Sequence, residues 1–157
     1  MIQQSVITDE MRSVIGVESE PYSYEVDKNG IRKFAEAVGD PNPLWTDELY
    51  ARKTMYGGII ASPTFITTVD RRQKEGYHHG GKPYKRPYEK GLHGSDEWEF
   101  FEPLRPGDVI TARRRMVDFV ERQGKSGPLL FTFSEADYYN QLGQLVAKHR
   151  TSGISFP

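Results

Sequence analysis

The period of apolar and polar positions changes along the chain. A helical spacing dominates the first half and an alternating one the second. "YSYEV" (22–26) alternates as a short strand. Asp27 then reads as the N-cap of a helix running to about Val38. Ile31, Phe34, Ala35 and Val38 form its single apolar stripe, and Gly39 stops it. Thr46 is placed to cap a short second helix ending near Lys53, with Asp47 and Glu48 at the favourable end of its dipole. Ser62-Pro63 opens a third helix predicted to reach about Glu75. Its early turns are apolar (Phe65, Ile66, Val69), and its later ones are charged from Asp70 onward.

From 76 to 90 the chain has no period, and glycine, proline and tyrosine predict a loop inside a basic stretch from Arg71 to Lys90. After it the pattern is β. Leu92, Trp98 and Phe100 share one parity, and so do Leu129, Phe131 and Phe133. "RPGD" (105–108), "RQGKSG" (122–127) and "NQLG" (140–143) read as the turns between strands. Strands that follow one another directly predict an antiparallel meander. Helices first and a sheet afterwards give an α+β domain, with a helix laid on one sheet face.

Composition narrows the function. At 157 residues the chain is read as one domain, 1–157, with its core between about 20 and 155. Lys+Arg 21 against Asp+Glu 22 argues against a dedicated nucleic-acid binder. The absence of cysteine excludes a thiolate nucleophile, a disulfide framework and Cys-ligated metal. The first residues lack the layout of a signal peptide and no run reaches membrane-spanning length, so a cytoplasmic protein off the membrane is expected. Of the histidines, His78 and His79 are adjacent in the loop, poor geometry for a metal site, and His93 and His149 fall on strands without a nearby acid at ligand spacing. No HExxH, GxSxG, P-loop or GxGxxG is present, so neither a metal nor a cofactor is expected.

The order strand, helix, "GDPNPLW" (39–45), "TDELYARKTMYGG" (46–58) and "IIASPTF" (59–65) is distinctive. With the later "LHGSDEWEFFEPLRPGDVITARRR" and "GKSGPLLFTFSEADYYNQLGQLVAKHRTSGI", it resembles the MaoC-like hydratase/dehydratase family, and most its FAS1-like N-terminal subgroup. The resemblance implies a hot-dog fold, a long central helix wrapped by an antiparallel sheet, and pairing of two such units around shared active sites. It also implies an acyl-CoA or acyl-carrier-protein thioester as substrate.

Active members of that family carry G-D-x-N-P-[LIV]-H, followed by an H-G pair that opens the central helix. Gly39, Asp40, Asn42, Pro43 and Leu44 match, but the histidine position is Trp45. Indole has no basic nitrogen and cannot serve as a general base. The H-G pair falls on Ser62 and Pro63, and proline has no N–H to polarise a thioester carbonyl. Either loss alone is expected to cost on the order of 10²-fold in rate.

Asp40 is therefore the one retained catalytic candidate, or a structural acid at a helix end. Trp45 is either core packing or a wall of an acyl tunnel. Asn42, Gly57, Gly58, Ser62, Pro63 and Phe65 fall beside the implied acyl site, the two glycines for backbone geometry, and His93 is a candidate outside the motif. Two assignments follow. One is an acyl-binding subunit completed by a second hot-dog chain that carries the Asp/His pair. The other is a homodimeric acyl-CoA-binding or thioesterase-like protein using Asp40 or another residue such as His93.

Overall fold

The computed structural model describes residues 5–71 and 82–157. A short helix α1 (Asp9–Ser13) precedes strand β1 (Tyr22–Glu25) and helix α2 (Lys28–Val38). Helices α3 (Pro43–Thr46) and α4 (Glu48–Arg52) follow, then a 3-10 turn (Pro63–Ile66) leading into α5 (Thr67–Arg71). The rest is β: β2 (Lys90–Phe100), β3 (Val109–Gly124), β4 (Gly127–Tyr139) and β5 (Leu145–Phe156). Residues 72–75 of the expected third helix, together with His78 and His79, lie outside the described residues. No helix among the described residues is long and apolar enough to cross a membrane.

Capping chemistry accounts for most helix ends. Asp27 accepts the Gly30 N–H, and Gly39 terminates α2 with φ 69°, a left-handed geometry that suits glycine. Ile31 and Ala35 are buried, whereas Val38, the last residue of the predicted stripe, is 53% exposed. The second helix differs from expectation. Asp47, not Thr46, is its N-cap, accepting from Leu49 and Tyr50, because Asn42-Pro43 has already started a separate turn that Thr46 ends. Helix α1 was not expected. Its signature is Thr8, which accepts from Met11 N–H, followed by acidic Asp9 and Glu10.

Among the described residues five strands form one antiparallel sheet in the order β1-β3-β4-β5-β2. β3, β4 and β5 are the predicted meander. β2 departs from it by crossing to the far edge to pair with β5. The expected face of β2 is also split. A bulge between His93 and Ser95 resets the register, so Leu92 pairs with Ile154 on one parity while Trp98 pairs with His149 on the other. In β4 the buried parity is Leu130, Ser134, Ala136 and Tyr138; Leu129 and Phe131 are only partly covered, and Phe133 is 37% exposed.

The inner face packs against the helices at one end. Ala112, Ala136, Tyr138 and Ala147 meet Ile31, Ala35, Trp45, Phe65, Ile66 and Val69 in the main core. A second cluster joins Met11 and Val14 to Met116, Phe119 and Leu130, with Tyr84 and Tyr88 against it. The outer face carries a ladder of ion pairs instead. Arg150 reaches Glu97 (2.9 Å), Glu99 (2.8 Å) and Glu135 (3.2 Å), and Arg115 joins Glu135 (2.7 Å) to Asp137 (2.9 Å). Consecutive Arg113, Arg114 and Arg115 alternate faces, and Arg114 is buried inward with Nη2 donating to the Tyr138 hydroxyl at 2.7 Å.

Candidate functional site

Two groups of residues have chemistry to offer. The first is the motif loop after α2. Asp40 donates its backbone N–H to the Ala35 carbonyl (2.9 Å), closing the helix end, and its carboxylate accepts the Asn42 N–H at 3.3 Å. Asn42 repeats the device one step on, accepting the Leu44 N–H at 3.0 Å. Successive Asx turns of this kind hold a chain rigidly without any ligand. Trp45, where a base would stand, is 8% exposed and part of the main core. Its indole Nε1 is buried with no hydrogen-bond partner among the described residues.

The Leu44 carbonyl accepts from Ile60 (3.3 Å), which sets this loop against the approach to the central helix. There Gly57 adopts φ 67°, and Gly58 sits with Glu48 Oε1 4.0 Å from where a Cβ would be. Ser62 occupies the N-cap position but makes no side-chain cap bond, and its buried Oγ has no partner among the described residues. Pro63 takes N1, so no N–H points out of the helix start at that position. Phe65 is 1% exposed and packs edge-on to Phe34 with centroids 5.7 Å apart. Of the motif-derived residues, the structure brings together Asp40, Asn42, Trp45, Ser62 and Pro63 as a turn and a core wall. It does not bring His93 to them.

The second group lies on the inner face beyond the helices, around a cavity of about 620 Å³. His93 Nε2 and Asp96 Oδ2 are 2.8 Å apart, and His149 Nε2 lies 2.6 Å from Asp96 Oδ1. The His149 ring stacks on Trp98 with centroids 3.9 Å apart and planes within 6°. Burial alone would raise the Asp96 carboxyl. Hydrogen bonding to His149 and Thr151, with the two imidazoles close by, more than offsets that and holds it below its ordinary value.

Sequence spacing gave no sign of this cluster, because His93 and Asp96 are three apart and a regular strand would send them to opposite faces. The bulge at Gly94 reverses the parity and turns both inward. A glycine inside a strand is the signal that could have found it. His149 gave no signal, since it comes from β5.

Gly94 has little freedom to change. A Cβ there would come within 2.4 Å of Ser152 Oγ and 2.9 Å of the Ser152 carbonyl oxygen. Gly94→Ala is expected to cost about 1–3 kcal/mol, as overpacking does. Urea denaturation would measure it, and an unchanged midpoint would show that β2 absorbs the methyl group without strain.

The family model for the FAS1-like dehydratase domain region matches residues 13–149. A UPF0336 protein of Thermobifida fusca is 33% identical over 104 residues, covering 66% of this chain and 68% of its own. Among solved structures, the ChsH1–ChsH2 complex from Mycobacterium tuberculosis superposes with a TM-score of 0.75 at 23% identity, over 88% of this chain and 84% of the other. The truncated HadBC (3R-hydroxyacyl-ACP dehydratase) complex from the same organism gives 0.69 at 21% identity, over 90% and 97%. These likenesses carry the architecture, a sheet curled about a short helical core in the hot-dog manner. The chain belongs to the MaoC-like FAS1-type dehydratase-domain family.

Proposed function

We propose that this chain is the acyl-thioester-binding subunit of a two-chain hot-dog hydratase or 3-hydroxyacyl dehydratase, whose partner supplies the Asp/His pair. The observation that carries this reading is the state of the motif loop. Its acid is bound into a turn, its base position is a buried indole, and the helix-start N–H beside it is a proline. A site built this way can shape an acyl cavity but lacks a group to move a proton at the motif. Two features support a partner. The edge strand β2 is exposed over most of its length, with Leu92 at 63% and Phe100 at 47%. Two of the similar structures, ChsH1–ChsH2 and HadBC, are themselves complexes of two named components. The substrate is then a CoA- or carrier-protein-bound enoyl or 3-hydroxyacyl group, handled in the cytoplasm.

Co-expression with a hot-dog chain bearing an intact G-D-x-N-P-x-H tests the reading. A stable mixed assembly should form and hydrate crotonyl-CoA, while this chain alone should show no turnover. Native mass spectrometry that finds only homodimers, or robust hydration by the single chain, would sink it. The alternative, a homodimer with its own chemistry, is favoured by one observation only, the cluster at His93.

A further inference from the structure

We infer that His93 is a general base, and that the cavity below it is a hydrolytic site for acyl thioesters. The thioester class rests on the reading above; the base rests on the geometry of β2 and β5.

An ionised carboxylate only accepts hydrogen bonds. Each oxygen of Asp96 is engaged by one imidazole Nε2, so both rings carry a proton on Nε2. In neutral His93 the lone pair is therefore on Nδ1, the ring nitrogen not turned to Asp96. Asp96 fixes the tautomer and the ring orientation, and its charge balances the imidazolium that forms when Nδ1 takes a proton. His149 is a positioning residue. Its side chain is 10% exposed and pinned on Trp98, and it holds the second oxygen of Asp96 in place. The His93 ring is 63% exposed, so water reaches it.

The cavity suits an amphipathic acyl thioester. Trp98, Met116, Leu130 and Tyr84 supply apolar walls, and Thr132 and Ser134 add hydroxyl groups. Around the dyad, β5 presents His149 and β3 presents Arg114. The segment leading into β2 presents Lys82, Arg86, Glu89 and Lys90, with the phenols of Tyr84 and Tyr88. The cations outnumber Glu89 and Asp96, which favours the anionic carrier end of such a substrate. In the reaction, His93 Nδ1 takes a proton from water as the water oxygen bonds to the thioester carbonyl carbon. The tetrahedral adduct collapses with cleavage of the C–S bond. The proton passes from the imidazolium to the departing sulfur, giving a carboxylic acid and a thiol.

The test is thiol release from decanoyl-CoA by the full chain, alone and in the mixed assembly, as a function of pH. The rate should rise with pH along a single basic limb. His93→Gln should lower it about 100-fold and abolish the limb, with the melting temperature unchanged. Asp96→Asn should lower kcat at least tenfold with little change in KM, since the amide no longer fixes the His93 tautomer or balances the imidazolium. Wild-type release no faster than that of His93→Gln overturns the proposal, and so does a loss that merely tracks the folded fraction. Neither result touches the subunit reading, which stands on assembly and hydration. Failure of chain and assembly alike to bind decanoyl-CoA would remove that reading as well.

Discussion

Truncating Trp45 to alanine is expected to cost about 3–5 kcal/mol of folding stability, the range for emptying a large aromatic site in a core. The indole is 8% exposed and sits among the residues that join α2, the approach to the central helix and the inner face of the sheet. One feature pulls the value toward the lower end. The Nε1–H is buried without a partner among the described residues, and removing an unsatisfied donor relieves a desolvation cost. Trp45→Phe separates the two effects, because it keeps most of the packing and deletes the N–H. It should lose far less than the alanine variant. Urea titration of both proteins measures the difference. An alanine variant within 1 kcal/mol of wild type would mean that the indole fills space the fold does not need, as a ligand-facing wall would.

The second large effect belongs to Phe65. Phe65→Ala should also cost about 3–5 kcal/mol, and should lower the melting temperature by roughly 10 °C in a domain of this size. The ring lies within the 3-10 turn that Pro63 opens and is 1% exposed. Phe34 meets it edge-on with planes at 89°, and Tyr24 is tilted against it at 6.5 Å. Such aromatic pairs contribute beyond their buried area. Phe65 therefore fastens the 3-10 turn that leads into α5 to α2 and β1 together. Phe65→Leu should retain much of the stability and none of the edge-on geometry. Equal melting temperatures for the alanine variant and wild type would refute this account of the helix anchor.

What was legible in the sequence was local. Asp27 and Gly39 bracket α2 because capping and left-handed φ depend on a few adjacent residues. The turns at 105–108 and 140–143 announce themselves through Gly107 and Gly143, both at positive φ. Thr46 and Asp47 are both competent caps, and only the earlier turn at Asn42-Pro43 decides between them. What was illegible was pairing at a distance. The path of β2 to β5 leaves no trace in either strand, and the alternation of Leu92, Trp98 and Phe100 hides the bulge at Gly94. The motif loop shows in sequence as a match with two departures, Trp45 and Pro63. That the Asp40 carboxylate spends its hydrogen bond on Asn42 became visible only in three dimensions.

The edge position of β2 also bears on the order of assembly. β3 and β4 join through a tight turn, and a short loop brings β5 onto β4. Among the described residues β2 pairs with β5 alone, across the whole of β3 and β4, so a long loop must close before any of its bonds form. The entropy of that closure is unfavourable until the meander exists to receive the strand. His93 and Asp96 travel with β2, and His149 waits on β5. The acid and its two imidazoles are thus a property of the finished sheet, contained in no hairpin of it, and a partly folded chain cannot hold them together.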